Sequence, residues 1–297
     1  MINRSGEMEV FVQVVEQGGF SHAARRCGMT QSAVSKLISR LETRLGARLF
    51  NRSTRRLDLT PEGCVFYERA AAILSDMEDA ESLAGRGEQP VGRIRLNTSA
   101  SYAVHVLEPL VPVFLALYPD VTLDIVQTDR VIDLLEERSD IAVRAGPLKD
   151  SSLTARKLGE TQMLIVASPD YLETFGTPER VADLDHHQRL GFSYPREIEG
   201  WPLIEAGKQV QGAPPSRVQA SDGESLRRLA LHGAGLVRLA AFTVRGDIAA
   251  GRLVPVLETC QPSDTETFHA IYVGQGGPLP ARVRALLDYL AENGRVS

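Results

Sequence analysis

The chain has 297 residues, 43% apolar and 24% charged side chains and a net charge of −5, the composition of an ordinary soluble globular protein long enough for two domains. No run approaches the ~20 apolar residues of a membrane helix; the richest segment, Val104 to Leu117, is interrupted by His105, Glu108, Pro109 and Pro112. The N-terminus carries no apolar signal region, and Cys27, Cys64 and Cys260 form neither a metal spacing nor a disulfide framework, which points to a reduced, cytoplasmic setting.

In chain order, Glu7 to Gln17 reads as a helix that offers Met8, Phe11, Val12, Val14 and Val15 for packing. Gly19 ends that segment, and Ser21 is expected to cap a helix through Ala23, Ala24 and Cys27. Gly28 supplies the left-handed residue of a short turn. Thr30 then caps a second helix, with Val34, Leu37, Ile38, Leu41 and Leu45 at helical spacing. Its other face carries Gln31, Ser32, Ser35, Lys36, Ser39 and Arg40, without an acid until Glu42. Gly46 stops this helix; Arg48–Asn51 and Leu57–Leu59 read as paired strands, with Arg52-Ser53-Thr54-Arg55 at the tip.

Between Phe20 and Thr60 nine cations face two anions, a local balance of +7 in a chain that is otherwise acidic. A polyanion is drawn to this head and repelled elsewhere. Small hydroxyls let a helix come close to a surface, and Gln and Lys reach base edges in a major groove. The segment therefore reads as a winged helix-turn-helix for double-stranded DNA. Gln31, Ser32 and Ser35 would approach bases and Lys36 a base or phosphate; Arg52, Arg55 and Arg56 would act from the wing, with Ser21, Thr30 and Arg40 completing the contact set.

The residues GGFSHAAR, MTQSAVSKLISRLETRLGARLFNR and LTPEG resemble the N-terminal domain of LysR-type transcriptional regulators, almost without gaps over the first sixty positions. Next, Thr60-Pro61-Glu62 opens a long helix in which Phe66, Ala70, Ile73, Met77, Ala80 and Ala84 recur at steps of four and three, a heptad seam. The seam is too short to pair strongly alone, and a helix packed on its own domain is the alternative. The resemblance implies an antiparallel linker-helix dimer, and in many members a tetramer through a second contact.

The stretch Ala84 to Pro90 is a polar Gly/Pro joint. Beyond it the order is strand Arg93–Thr98, helix to Tyr118, strand Val121–Gln127, helix Val131–Glu137 and strand Asp140–Ala145, which predicts parallel strands of the doubly wound α/β type. Separate strands are expected at Leu153–Leu158 and Met163–Ala167, helices from Pro169 and from Thr177-Pro178-Glu179, and a strand pair within Trp201–Pro215. A helix capped at Ser221-Asp222, a strand Leu236–Leu239, a helix to Ala250, strands Leu253–Leu257 and Phe268–Val273 and a helix Pro280–Asn293 complete the chain. The fold class is thus α/β multidomain: residues 1–60 the DNA-binding head, 61–90 the linker helix and joint, 91–297 a two-lobed domain. Lobe I takes 91–161 and 267–297, and lobe II 162–266.

The segments LEPLVPVFLALYPDVTLDI, SDIAVRAG, LIVASPDYL, HGAGLVRLAAFTV and AAGRLVPVLE resemble the LysR effector domain, which is itself like periplasmic solute-binding proteins. Ala240, where the family commonly has proline, and Arg238, where it has a small or apolar residue, depart from that pattern. Ligands of such sheets bind beyond the carboxyl ends of strands, near helix N-termini. Thr98, Ser99, Ser101, Arg144, Ser221 and Asp222 fall at such places, Ser193 and Arg238 are further candidates to face the cleft, and hydroxyls with arginine and open helix N-termini suit a small organic acid or aromatic carboxylate.

Other chemistry is not assembled. Gly274–Gly277 lacks the last glycine of a dinucleotide loop, Gly191–Pro195 lacks that of a nucleophile elbow, and His186-His187 has no third zinc ligand. Neither a catalytic constellation nor a cofactor or metal is expected. An enzyme with an appended DNA-binding head and a nucleoid-type protein are the readings set against a ligand-responsive regulator. The expected partners are DNA, a small-molecule effector and further copies of the chain as a dimer or tetramer, with no membrane.

Overall fold

In the computed structural model, helix α1 (Arg4–Glu16) starts where the Asn3 side chain accepts the Gly6 N–H at 2.9 Å. The structure describes residues 3–51, 57–84, 89–129, 139–146, 153–194, 200–212, 216–273 and 279–297. Two compact units divide the chain, Met1–Glu88 and Gln89–Ser297, and the division falls inside the joint read from the sequence.

The first unit holds α1, α2 (Phe20–Arg26), α3 (Gln31–Leu45) and α4 (Pro61–Ala84). Its core is Phe11, Val14, Ala23, Val34, Ile38, Leu41 and Leu49, with Phe11 edge-on to Phe66 and tilted against Phe50. The turns use Gly28 and Gly46 in the left-handed region, at φ +65° and +67°. Thr30 caps α3 as expected, accepting the Ala33 N–H at 3.2 Å. Ser21 is not a cap: α2 begins two residues earlier, after an extended Gly19, because Phe20 is drawn inward against Phe50. Phe50 and Leu59 form an antiparallel bridge at the base of the wing. Arg52, Arg55 and Arg56 lie outside the described residues.

In the second unit β1 (Gly92–Thr98) runs parallel to both β2 (Val121–Gln127) and β3 (Ile141–Ala145), as the α/β order predicts. The predicted helix Val131–Glu137 falls outside the described residues. Antiparallel β11 (Thr265–Val273) continues the sheet and joins β3 to β4 (Leu153–Ala167). The two strands expected within Leu153–Ala167 are one. Gly159, at φ +125°, bends the chain at a register shift opposite Phe268 and His269 without ending it. The first part of β4 pairs with β11; Met163–Ala167 pairs with β9 (Val237–Ala240) and β10 (Val254–Pro255). Lobe I closes over Ile94, Leu96, Tyr102, Phe114, Leu158 and Leu286, and lobe II has its own clusters around Ile165, Leu203 and Leu236 and around Leu190, Leu226 and Val237.

After β1 the chain forms α5 (Ala100–Tyr102), a π turn (Ala103–Leu107) and α6 (Glu108–Leu117). Pro109 and Pro112 remove N–H donors, and the helix widens just before them. This run, Ala100–Leu117, reaches a mean hydropathy of 1.6 over 18 residues, so by length and composition it could cross a membrane, contrary to the sequence reading. It lies instead along the sheet, with Tyr102, Ala103, Leu107 and Phe114 buried. Lobe II adds α7 (Pro169–Phe175), β5 (Leu190–Phe192), the hairpin of β6 (Trp201–Glu205) and β7 (Lys208–Gly212), β8 (Val218–Ala220), α8 (Gly223–Leu231) and α9 (Ala241–Ala249); α10 (Ala281–Asn293) returns to lobe I. No helix starts at Thr177: Asp183 takes the Glu179 and Arg180 amides, and only a 3-10 turn, Val181–His186, follows. The strand expected over Leu253–Leu257 shrinks to β10, because Leu257 turns left-handed at φ +55°.

A Cβ on Gly159 would stand 2.1 Å from the Val296 carbonyl oxygen. Gly159→Ala is expected to cost about 1–3 kcal/mol from the backbone conformation alone and more from the collision. A lowered urea midpoint for the unfolding of Gln89–Ser297 measures it.

Candidate DNA interface and effector cleft

The recognition face is built by the turn at Gly28. It sets α3 so that Val34, Ile38 and Leu41 are buried, while Gln31, Ser32, Ser35, Lys36, Ser39 and Arg40 are all exposed. Ser21, on α2, donates its hydroxyl to Gln31 Oε1 at 3.0 Å. That bond orients the carboxamide and leaves its NH2 group for an acceptor on a base edge. The nearby acids are turned inward. Glu7, only 3% exposed, takes two hydrogen bonds from Arg44 at 2.9 and 3.1 Å and lies 3.7 Å from Arg40. Glu42 accepts the Leu49 and Phe50 amides and so ties the wing base to α3. Glu7 lies outside the stretch whose charges were counted, so part of the +7 is neutralised from α1.

Thr60 links wing and linker: its hydroxyl donates to the Arg48 carbonyl at 2.6 Å and accepts the Gly63 amide at 3.0 Å. On α4 the predicted seam divides. Phe66 and Ala70 pack into the head's own core, whereas Ile73, Met77 and Ala80 are exposed, the first two at 44% and 41%. Ala84 ends the helix, and its side chain lies outside the described residues.

Between the lobes of the second unit an open pocket of about 300 Å³ is lined by Ala100, Val104, Asp129, Asp222, Glu224 and Arg228 among others. The helix N-termini here, expected to be open, are closed by the protein's own side chains. Ser99 accepts the Tyr102 amide and Asp222 the Ser225 amide at 2.7 Å. Asp129 accepts Ala100 N–H on one oxygen and Gly223 N–H on the other, both at 3.1 Å. Asp129 carries no obvious sequence signal, since it stands in a loop two residues beyond β2. Glu224 is likewise unforeseen: it is buried and takes His105 Nε2 at 3.0 Å, Arg227 at 2.7 Å and Arg228 at 3.2 Å. Behind it, Arg227 and Arg252 hold Asp247; burial pushes that carboxyl up, and their hydrogen bonds outweigh it to leave it below the usual range.

The eight expected effector residues separate. Ser101 abuts Gly223 across the cleft, Ser221 and Asp222 line the pocket, and Ser193 is exposed at the end of β5. Arg144 donates to Asn97 Oδ1, and its charge is felt by Asp129. Thr98 is fully buried, and Ser99 is engaged as a cap. Arg238 is bound to both oxygens of Asp264 at 2.7 and 2.8 Å, so its departure from the family pattern makes an ion pair on the approach to β11. Asn97 Nδ2, beside Arg144, is buried without a hydrogen-bond partner.

Burial, reinforced by the charge of Asp222, raises the Asp129 carboxyl above its ordinary value against the two amides and Arg144; burial also lowers the Arg144 guanidinium. A carboxyl raised in the folded state contributes stability in acid that is lost as pH climbs through its folded value. The unfolding midpoint of this unit is therefore expected to fall from about pH 4 upward, with a shallower slope in Asp129→Asn. Parallel slopes in urea titrations of the two proteins would contradict this.

Residues 6–64 match the family described as bacterial regulatory helix-turn-helix protein, lysR family, and residues 87–295 match the LysR substrate binding domain. The transcriptional regulator CrgA of Neisseria meningitidis is 41% identical over 294 residues, covering 98% of this chain and 97% of that protein. The transcriptional activator AaeR of Escherichia coli is 33% identical over 300 residues, covering 99% and 96%. The solved structure of Neisseria CrgA aligns with a TM-score of 0.65 at 40% identity over 99% of both chains. That of the Vibrio cholerae virulence activator AphB aligns at 0.63 and 28% identity over 97% and 98%.

Proposed function

The chain belongs to the LysR family of transcriptional regulators, and on that premise we propose how its own residues divide the work of a DNA-binding regulator with an effector-binding domain. The carrying observation is the acid-free, fully exposed face of α3, on which Ser21 orients Gln31. Gln31, Ser32 and Ser35 read bases, and Lys36 and Arg40 meet base or phosphate. Arg52, Arg55 and Arg56 bind from the wing. Ile73, Met77, Ala80 and Ala84 pair two linker helices, which sets two heads on a two-fold site. Phe66 and Ala70 hold that helix on its own head. A dimer, or a tetramer built with a second contact, acts on promoter DNA in the cytoplasm.

The effector is a small carboxylate bound between the lobes on the side of Arg144, near Ser101 and Ser193. Two observations support an acid: Asn97 Nδ2 is buried without a partner beside the Arg144 guanidinium, and a carboxylate, that of Asp129, is already accommodated next to it. Effector binding alters the relative angle of the paired heads through its differential affinity for two lobe arrangements.

Gln31→Ala is expected to cost about 1–3 kcal/mol on the specific site and to relax preference at one base pair, whereas Arg55→Ala weakens all DNA alike and flattens the salt dependence by about one unit of slope. Titrations on operator and random DNA over a salt series separate the two; equal losses on both DNAs for Gln31→Ala would refute the base-reading role. Met77→Glu places a charge in the seam and is expected to dissociate the linker contact, seen as a smaller species in sedimentation. In a thermal-shift screen of organic acids, Arg144→Ala and Ser101→Ala should each weaken any stabilising hit. A hit that both variants bind unchanged would move the effector elsewhere.

A further inference from the structure

An effector that changes the lobe angle acts against whatever holds the lobes in place. Asp129 belongs to lobe I: the Thr128 amide beside it is bonded to the Thr98 carbonyl at 2.9 Å, which anchors the loop to the end of β1. Its two oxygens serve two lobes. One accepts the first amide of α5 in lobe I and the other the first amide of α8 in lobe II. A helix cap that served local folding alone would need only one of them. The lobes also touch here without slack, since a Cβ on Gly223 would stand 2.7 Å from Ser101 Oγ.

We propose that Asp129 is an interlobe latch, a resident carboxylate that ties the head of α8 to the head of α5 and whose release opens the cleft. The proposal rests on reading this cleft as the effector site and adds how its closure is controlled. The surroundings make the latch breakable. Asp222, the cap of α8, and Glu224 line the same cleft, with Arg228 and His105 of the π turn drawn onto Glu224, while Arg144 from β3 supplies the positive charge felt by Asp129. His105 makes another cross-lobe contact in this cleft, to Glu224, while Arg245 donating to the Ser297 carbonyl and Phe242 edge-on to Phe268 join the lobes elsewhere. A half-buried carboxylate beside the like charge of Asp222 regains hydration when the cleft opens, which offsets the two hydrogen bonds that it loses. A carboxylate effector that reaches this seat makes an exchange of like for like.

Hydrogen exchange on the full-length protein tests the latch without effector or DNA. In Asp129→Ala the amides of Ala100 and Gly223 are expected to exchange about tenfold faster, the size of one lost charged hydrogen bond, with Leu96 in β1 and Leu290 in α10 unchanged. Sodium formate, which with the alanine methyl rebuilds the missing group, should restore slow exchange in the variant and leave the parent protein unaffected. Unchanged exchange in the variant, or formate slowing both proteins equally, overturns the proposal. If Asp129→Ala loses protection throughout, Asp129→Asn decides: it keeps one acceptor, so one of the two amides should be exposed, and full protection of both refutes the latch. An organic acid that binds through Arg144 to a protein whose Asp129→Ala exchange is unchanged would keep the effector reading and remove the latch.

Discussion

The second unit depends on one strand that does not stop. β4 pairs with β11 along its first part and with β9 and β10 along its last five residues, so one continuous strand carries the chain from lobe I into lobe II, and β11 carries it back. Gly159 makes this possible: its left-handed φ turns the strand where β4 carries one extra residue, Leu158, between the partners of Phe268 and His269, and the missing side chain admits the Val296 backbone at a distance that no Cβ tolerates. A hinge made this way conserves hydrogen bonds on both sides of the bend. The cores around Leu158 and Ile165 are separate clusters, and between them Phe242 of α9 reaches across to pack edge-on against Phe268 of β11.

In the DNA-binding unit the corresponding constraint is where the acids go. Glu7 and Glu42 sit close to the recognition helix, and either one exposed would repel phosphate. Glu7 is instead buried against Arg44, and Glu42 is turned onto the wing-base amides. Each acid thereby does structural work where its charge would otherwise oppose binding. Arg44 is the cation removed from the surface by this arrangement, and Lys36 and Arg40 remain exposed on the open face.

Local signals carried far in the sequence. The helical spacing of Val34, Ile38 and Leu41, the Thr30 cap and the glycines at 28 and 46 describe the helix-turn-helix because each acts within one or two turns. The alternation of strands and helices likewise conveyed that β1, β2 and β3 run parallel, though not their order in the sheet. What escaped was non-local. Ser21 has the composition of a cap, but the helix start is decided by Phe20 packing on Phe50, thirty residues away. The heptad seam is continuous in sequence, yet the core of the head claims Phe66 and Ala70 and leaves only the later positions exposed. Arg238 looked like pocket chemistry until Asp264 supplied its partner from a different segment. Asp129 and Glu224 have no motif at all; their importance arises because the fold brings a loop after β2 against the head of α8.

The cleft shows why a count of suitable side chains is a poor guide to ligand charge. Hydroxyls, arginines and helix N-termini are present as the sequence suggests, but most of their bonding capacity is already used: Asp129 and Asp222 occupy amides, Glu224 holds Arg227 and Arg228, and Asp264 holds Arg238. The pocket wall toward α8 thus presents the carboxylates of Asp222 and Glu224, while Arg144 and the unpartnered Asn97 amide lie outside its lining, on the β1–β3 side. A ligand that fits this pocket touches residues of both lobes. Because the two walls belong to different lobes, the affinity of a ligand that touches both depends on how the lobes sit, which is the condition for a small molecule to shift a balance between arrangements.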